Sequence, residues 1–274
     1  MEASGSALVT GASRGIGRAV ALELGRRGFT VVATVRNAES GDALVADADA
    51  EGVALTIREL ELTDVVALDL PDDLRVVVNN AGVQMGYFPV EALPLDLVRY
   101  VVEVNLIGQI GVLHEAIPLL RARGEGVICT VTSISILRST PFFAAYRASK
   151  AAMSALCETL LVELAPFGIR VLEVLPGPVA TEGLAGSDHI EAVDYEPYRE
   201  AAERMMASCG RVHELAVTPA TAAARIVDAI LDDNAPVRFS TDPMGDALLA
   251  ESLELSHRER LDRDLTRYIA RDVS

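Results

Sequence analysis

One stretch near the start of the chain decides its fold class: Ala7-Leu8-Val9-Thr10 runs directly into Gly11-Ala12-Ser13-Arg14-Gly15-Ile16-Gly17. The first four residues predict a short apolar strand, and the apolar spacing after the glycines predicts a helix that ends at Gly28. Glycines placed between a strand and a helix let the backbone approach a pyrophosphate, and the helix N-terminus presents free N–H groups to it. The spacing Gly-x-x-x-Gly-x-Gly differs from the general fingerprint Gly-x-Gly-x-x-Gly. The stretch therefore favours dinucleotide binding, with an ordinary structural loop as the alternative.

Further apolar strands alternate with helical patterns along the rest of the chain. We predict strands over 29–35, 53–60, 75–78, 126–132, 169–175 and 237–239. The 274 residues are 50% hydrophobic but only 4% aromatic, so the core must be aliphatic, which suits buried parallel strands. The expected fold is α/β, a doubly wound (Rossmann-like) parallel sheet of about seven strands in three αβα layers. No linker or repeat interrupts residues 1–274, which predicts a single domain.

Composition also limits the partners. The net charge of −16 and the pI of about 4.7 argue against nucleic acid or an anionic membrane surface. Residues 1–6 carry no signal-peptide pattern, and no apolar run approaches the length of a membrane span, so we expect no membrane insertion. The three cysteines have apolar neighbours and no metal-like spacing. They predict free thiols, a reducing and cytoplasmic location, and no metal site.

The end of the second predicted strand indicates which cofactor is preferred. An NAD site would place Asp or Glu there to hold the ribose 2′-hydroxyl. This chain has Thr34, Val35, Arg36 and Asn37 instead. Arg36 is placed to meet a 2′-phosphate, and Arg14 in the glycine turn would approach the same phosphate from the other side. The pattern predicts NADP (NADPH); the alternative is two solvated loop arginines.

Polar and small residues follow the other predicted strands. They are Glu61-Leu62, where a side chain could reach the adenine, Asn79-Asn80-Ala81-Gly82, Ser133, and Pro176-Gly177-Pro178-Val179-Ala180-Thr181. All lie at the C-terminal ends of strands, where open parallel sheets bind ligands. Asn105 lies inside an apolar helical stretch, and a buried amide there must find hydrogen-bond partners.

Tyr146 and Lys150 lie four residues apart in the predicted helix that ends near Ala165. This spacing places them one turn apart on one face. A lysine held there can stabilise phenolate and lower a tyrosine pKa whose reference value is near ~10. The pair would then act as a proton donor and acceptor at neutral pH. An ordinary helix-surface contact is the alternative.

Taken together, these segments resemble the short-chain dehydrogenase/reductase family, in its shorter single-domain, NADP-preferring branch. The resemblance covers roughly residues 5–240. It rests on Thr10 to Gly17, Asn79-Asn80-Ala81-Gly82, Asn105, Ser133, Tyr146-x-x-x-Lys150 and Pro176-Gly177, which occur in the family's order. Glu61 stands where the family usually has Asp, and the segment 65–74 is shorter than usual, which puts cofactor affinity in doubt.

The resemblance implies catalytic roles for four residues. Tyr146 would be the acid in reduction and the base in oxidation, and Lys150 would lower its pKa and hold the nicotinamide ribose. Ser133 would hydrogen-bond the substrate oxygen. Asn105 would bend its helix and hold a water that links Lys150 to solvent.

The implied cofactor-binding residues come from every strand end named so far, with Val179 and Thr181 holding the carboxamide. They are Gly11, Ser13, Arg14, Gly15, Ile16, Gly17, Arg36, Glu61, Leu62, Asn80, Ala81, Gly82, Tyr146, Lys150, Pro176, Gly177, Val179 and Thr181.

The expected function is NADP-dependent interconversion of an alcohol and a ketone or aldehyde on an apolar or bulky small molecule. We expect a substrate lid around 183–213 and a helical tail around 242–272. Candidate pocket residues are Val83, Met85, Leu137, Phe143, Leu184, Met205 and Met206. A homodimer or homotetramer through the Tyr146 helix is expected.

Three other functions stay open at this point. They are a cofactor-binding regulator without turnover, a dehydration reaction, and reduction of a carrier-linked 3-oxoacyl substrate. The last would need a basic rim, which Arg99, Arg138 and Arg147 could supply only if they cluster.

Overall fold

The computed structural model describes residues 1–65, 68–185 and 190–269, without the side chains of 183, 185 and 209–211. Within these ranges, seven strands form one parallel sheet in the order β3-β2-β1-β4-β5-β6-β7. Their bounds are β1 Ser6–Val9, β2 Thr30–Val35, β3 Leu55–Glu59, β4 Leu74–Asn79, β5 Gly126–Val131, β6 Ile169–Val174 and β7 Arg238–Phe239. The predicted fold class is confirmed.

Ten α-helices fall within the described ranges. They are α1 Gly15–Arg26, α2 Asp42–Glu51, α3 Leu95–Val102, α4 Gly108–Arg123, α5 Ala144–Leu164, α6 Glu182–Ala185, α7 Arg199–His213, α8 Pro219–Leu231, α9 Pro243–Glu254 and α10 His257–Tyr268. A π-helical turn, Glu103–Ile107, joins α3 to α4. None of these helices is long and apolar enough to cross a membrane.

Alternation along the strands builds a core on each face of the sheet. In β1, Ala7 and Val9 pack with α1, α2 and α8, whereas Leu8 faces the layer that contains α4 and α5. Both layers are aliphatic, as composition predicted. Burial of these branched side chains is the main stabilising contribution, at roughly 25 cal/mol per Å² of apolar surface.

Most predicted elements form, with boundary differences of one or two residues. The short segment 65–74 includes residues 66 and 67, which lie outside the described residues. The rest of that segment carries no helix and ends in a turn before β4. The predicted lid region contains α6, two short 3-10 turns and α7, and the tail contains α9 and α10.

Strand order reverses between β1 and β4. From β1 the chain builds outward through β2 and β3 on one side, and it then returns to β4 and builds outward through β5, β6 and β7 on the other side. The turns that leave β1 and β4 therefore diverge and open a crevice at the C-terminal edge of the sheet. Ligands bind at this kind of switch point in doubly wound folds.

Candidate active site

Thr10 joins the turn after β1 to the turn after β4. Its hydroxyl oxygen accepts hydrogen bonds from the backbone N–H groups of Asn80 (2.9 Å) and Ala81 (3.0 Å). The Asn80 side chain returns the link, since its Nδ2 donates to the carbonyl oxygens of Thr10 (2.9 Å) and Gly11 (3.3 Å). The two turns are thus held together where the sheet order reverses. The sequence pointed to Asn80 but gave no role to the Thr10 hydroxyl.

The glycine turn has the shape that a dinucleotide needs. Gly11 and Gly15 have φ values of +67° and +59°, a conformation that favours glycine. A side chain at Gly17 would overlap the Gly11 carbonyl oxygen and the Asn80 amide. The side chain of Arg14, which precedes α1, makes no capping hydrogen bond, and the first turn of α1 holds no acid. The first N–H groups of α1 therefore suit a pyrophosphate.

The two arginines predicted to meet a 2′-phosphate have different surroundings. Arg36 follows β2, is exposed, lines the cleft, and forms no ion pair within the described part of the chain. Arg14 forms an ion pair with Glu182 of α6, and their side chains are 66% and 71% exposed. An exposed pair of this kind contributes little stability, about 0–1 kcal/mol. Glu182 is nevertheless a competitor for Arg14 that sequence reasoning missed.

Asn105 lies in the π-helical turn and is 1% exposed. Its Oδ1 accepts from the Val83 N–H (2.7 Å), and its Nδ2 donates to the Val83 carbonyl (2.8 Å) and to Ser149 Oγ (3.0 Å). Ser149 Oγ donates in turn to the carbonyl oxygen of Tyr146 (2.8 Å). Asn105 therefore ties the turn after β4 to α5. The polar partners expected for this buried amide are present, and Ser149 is an addition that sequence reasoning missed.

Ser133, Tyr146 and Lys150 meet beside this network. Ser133 follows β5, its Oγ accepts from the Ser135 N–H at 3.1 Å, and it lines the same cleft as Tyr146. One helical turn along α5, Lys150 Nζ donates to the Val131 carbonyl (2.8 Å) and lies 5.9 Å from the centre of the Tyr146 ring. The helix thus places a cation near a phenol, in the cleft that the Ser133 hydroxyl also lines.

Burial governs the protonation of this pair. Tyr146 is half-buried, and partial loss of water around its hydroxyl raises its pKa, because the phenolate is disfavoured away from water; an interaction with the Ser133 side chain lowers that pKa by a smaller amount. Burial also lowers the pKa of Lys150 to about 8. The predicted downward shift of the Tyr146 pKa is therefore wrong for this structure. The helix spacing showed the nearby cation but not the loss of solvent around both groups.

A cleft of about 960 Å³ runs along the C-terminal edge of the sheet. All predicted cofactor-binding residues, which include Tyr146 and Lys150, line it, and so does Ser133. Asn105 lies behind its wall and does not line it. Of the predicted pocket residues, Val83, Met85, Phe143, Leu184 and Met205 line the cleft. Leu137 and Met206 do not.

An aromatic wall, formed by Tyr87 and Phe143, borders Tyr146. The Phe143 ring stacks on Tyr87 with a centroid separation of 5.2 Å and lies 5.0 Å from the Tyr146 ring. Val83, Met85, Leu184 and Met205 extend the same apolar lining. The charged side chains that line the cleft are Arg14, Arg36, Glu61, Lys150 and Glu182. The end of the cleft beside the aromatic wall is therefore mainly apolar, although Gln84, whose amide donates to the Tyr87 hydroxyl, also lines it, as do Thr140 and His213 elsewhere in the cleft.

The three arginines considered for a basic rim have separate surroundings. Arg99 pairs with Asp96 (2.6 Å) on α3. The Arg147 guanidinium donates to the backbone carbonyls of Ser135 (3.0 Å) and Ile136 (3.3 Å). Arg138 lies near Arg267 and Asp264 of α10, and burial lowers its pKa. These positions give no support to a shared carrier-docking rim.

A family model described as short chain dehydrogenase matches residues 6–191. The chain belongs to the short-chain dehydrogenase/reductase family. The matched region contains the glycine turn, the Asn80 turn, Asn105, Ser133 and the Tyr146–Lys150 pair, so the family resemblance is confirmed.

Two related sequences illustrate the range of this family. An uncharacterized oxidoreductase of Myxococcus xanthus is 38% identical over 185 residues, which are 65% of this chain and 73% of the relative. Retinol dehydrogenase 8 of Bos taurus is 35% identical over 191 residues, which are 66% of this chain but only 61% of the relative. The similarity of this short-chain dehydrogenase/reductase to each of these proteins covers about two thirds of its chain.

Two solved structures of the family are similar over nearly the whole chain. A short chain dehydrogenase from Burkholderia cenocepacia in complex with NADP has a TM-score of 0.74 and 26% identity, covering 97% of this chain and 99% of its own. A member from Burkholderia phymatum in complex with NAD has a TM-score of 0.78 and 25% identity, covering 100% and 99%. This family member is thus an oxidoreductase with a nicotinamide cofactor site, and structural similarity is compatible with either cofactor.

Proposed function

We propose that this short-chain dehydrogenase/reductase uses NADP to interconvert an alcohol and a ketone or aldehyde on an apolar or bulky substrate. One observation carries the proposal: Ser133, Tyr146 and Lys150 line the same cleft, and Lys150 lies one helical turn from Tyr146 on α5. A cofactor-binding regulator would have no use for a phenol, a serine hydroxyl and a buried ammonium group beside one another in that cleft.

The chain's own groups would handle the proton and the charge on the substrate oxygen. A bound nicotinamide cofactor supplies hydride to the carbonyl carbon, or takes it from the alcohol carbon. Ser133 would donate a hydrogen bond to the substrate oxygen, where negative charge develops during reduction. Tyr146 would transfer its proton to that oxygen, and because burial raises its pKa, the proton is present at neutral pH. Lys150 would stabilise the resulting phenolate.

The residues of the glycine turn would hold the pyrophosphate through the backbone, and Arg36 would hold the 2′-phosphate. This assignment is supported by the exposed Arg36 at the end of β2, by the uncapped start of α1, and by the absence of an acid from residues 34–37. Arg14 would contribute once it leaves Glu182. Of the two arginines, Arg36 therefore carries the expected preference for NADPH.

Arg36→Ala should raise KM for NADPH by about ten- to hundred-fold, the effect of losing one charge-assisted hydrogen bond to phosphate, and leave KM for NADH unchanged. Initial rates with each cofactor measure both values. Arg58→Ala is a matched control, since Arg58 is an exposed arginine on β3 that does not line the cleft. A wild-type preference for NADH, or an equal loss with both cofactors, would contradict the role of Arg36.

The apolar end of the cleft supports a neutral, apolar carbonyl substrate, because burying a carboxylate against Phe143 and Met205 without a partner would be costly. A panel of keto esters and the keto acids of the same carbon skeleton tests this substrate class with NADPH. We expect the ester of each pair to have the higher kcat/KM. Consistent preference for the acids would contradict the proposed substrate class, and no turnover of any carbonyl would contradict the proposed function.

A homodimer or homotetramer and a cytoplasmic location are also proposed. In α5, Met153 and Leu160 are buried within the protein, whereas Val162 is 73% exposed. Ile107 of the π-helical turn and Ile110 of α4 are 48% and 40% exposed. These apolar side chains offer contacts for a second copy. Cys129 and Cys157 are buried free thiols, which suits a reducing compartment.

A further inference from the structure

A buried carboxylate in the C-terminal part of the chain contacts the wall of the cofactor cleft. Asp242 precedes α9 and is 1% exposed. Its Oδ2 accepts a hydrogen bond from the backbone N–H of Gly177 at 2.7 Å, across 65 residues of sequence. Gly177 and Pro176 line the cleft where β6 ends. The carboxylate therefore holds a cofactor loop from behind.

The two oxygens of Asp242 serve different segments. Oδ1 accepts from the Gly245 N–H (2.9 Å), which caps the N-terminus of α9. Oδ2 accepts the Gly177 bond and also bonds from the hydroxyls of Ser240 (3.3 Å) and Thr241 (3.2 Å). A helix cap needs only the first of these contacts. The second oxygen accepts from three donors: one belongs to the loop after β6, and two belong to Ser240 and Thr241, the residues directly before Asp242.

The same loop is joined to the catalytic serine segment. The N–H of Ile134, the residue after Ser133, donates to the Pro176 carbonyl at 3.1 Å. Helix α9 packs against that segment too, since a Cβ on Gly245 would lie 3.2 Å from the Ile134 side chain. A side chain at Gly177 would collide with the Asp242 carboxylate. The Pro176–Gly177 loop is thus fixed between Ile134 on one side and Asp242 on the other.

We propose that Asp242 is a positioning residue: by accepting the Gly177 hydrogen bond, its Oδ2 fixes the position of the Pro176–Gly177 loop at the nicotinamide end of the cofactor site. This inference rests on the proposed function. The nicotinamide must lie beside Tyr146 and Ser133 for hydride and proton to reach one carbonyl group, and the Pro176–Gly177 loop borders that end of the cleft. The adenosine end lies over β2 and β3 on the other side of the switch point.

Asp242→Ser separates the two contacts, because serine caps a helix well but is too short to reach Gly177. We expect Kd for NADPH to rise about ten- to hundred-fold, because the free loop loses its fixed position and binding must then supply up to the free energy of that one charge-assisted hydrogen bond to restore it. Binding of adenosine 2′,5′-bisphosphate, which has no nicotinamide half, should stay unchanged. Asp242→Asn keeps the size of the side chain and one acceptor oxygen, and should recover part of the NADPH affinity. Fluorescence titration measures all these constants.

Ser256→Ala is the matched control, because Ser256 caps α10 in the same way without contacting the cofactor loop. Its Kd for NADPH should equal that of wild type even though its stability falls. Wild-type NADPH affinity in Asp242→Ser, or an equal loss for adenosine 2′,5′-bisphosphate, would overturn the positioning role. A wild-type protein that binds neither NADPH nor NADH would instead overturn the proposed function, and this inference with it.

Discussion

Replacement of Tyr146 by Phe is expected to lower kcat by about 10²- to 10⁴-fold, the usual contribution of a positioned general acid or base. The change removes only the Tyr146 hydroxyl, and keeps the ring that lies 5.0 Å from Phe143. The wall of the cleft should therefore keep its shape. Kd for NADPH should change by no more than about fivefold, the effect of one neutral hydrogen bond.

Steady-state rates and fluorescence titration of Tyr146→Phe separate loss of chemistry from loss of binding. Tyr100→Phe provides the matched control, because Tyr100 also lines the cleft but lies on α3. Its kcat should remain close to that of wild type. If Tyr146→Phe kept wild-type turnover, or if both variants lost activity equally, the role given to the Tyr146 proton would be contradicted.

Replacement of Lys150 by Met should lower kcat about as much as Tyr146→Phe does, and it should also stabilise the fold. Lys150 is 5% exposed, and burial depresses its pKa from 10.5 to about 8, which corresponds to a cost on the order of 3 kcal/mol at pH 7. Methionine has a similar length without the charge. It leaves the Val131 carbonyl without its Nζ donor, an offset of about 1–2 kcal/mol. A net gain of about 1–2 kcal/mol in the free energy of unfolding remains.

The pH dependence of that gain follows from the same shift. The folded protein releases the Lys150 proton at lower pH than the unfolded chain, so the cost is complete below about pH 8 and disappears as pH rises to 10.5. The stability difference between Lys150→Met and wild type should therefore shrink over this interval. Urea unfolding of both proteins at several pH values measures it. A difference that is constant with pH, or a less stable variant at pH 7, would contradict a charged, buried Lys150.

The sequence was sufficient for the fold and for placing the predicted cofactor-binding residues at the cleft because their signals are local. Gly11, Gly15 and Gly17 mark a turn that only small residues can form, and the apolar runs before and after them mark a strand and a helix. Since parallel strands bring their C-terminal ends to one edge, Asn80, Ser133 and Pro176 could be placed near one another without any contact information.

The features that the sequence did not show depend on distant contacts. Glu173 lies within an apolar strand, yet the structure buries it with the Arg238 guanidinium (2.7 Å) and the Thr132 hydroxyl (2.8 Å). Asp242 and Glu182 find partners far along the chain in Gly177 and Arg14. No periodicity or spacing predicts such pairs. The direction of the Tyr146 pKa shift was missed for a related reason, since burial is a property of the whole fold.

Transfer of deuterium from NADPH labelled at C4 of the nicotinamide tests the proposed function most directly. The wild-type protein is incubated with each labelled C4 epimer in turn and an apolar ketone, and the alcohol is analysed by mass spectrometry. We predict that one epimer delivers its deuterium to the carbinol carbon, while Tyr146→Phe forms little product under the same conditions. Cofactor binding with no deuterated alcohol from any ketone or aldehyde in the panel would contradict the assignment of this cleft as a carbonyl-reducing active site.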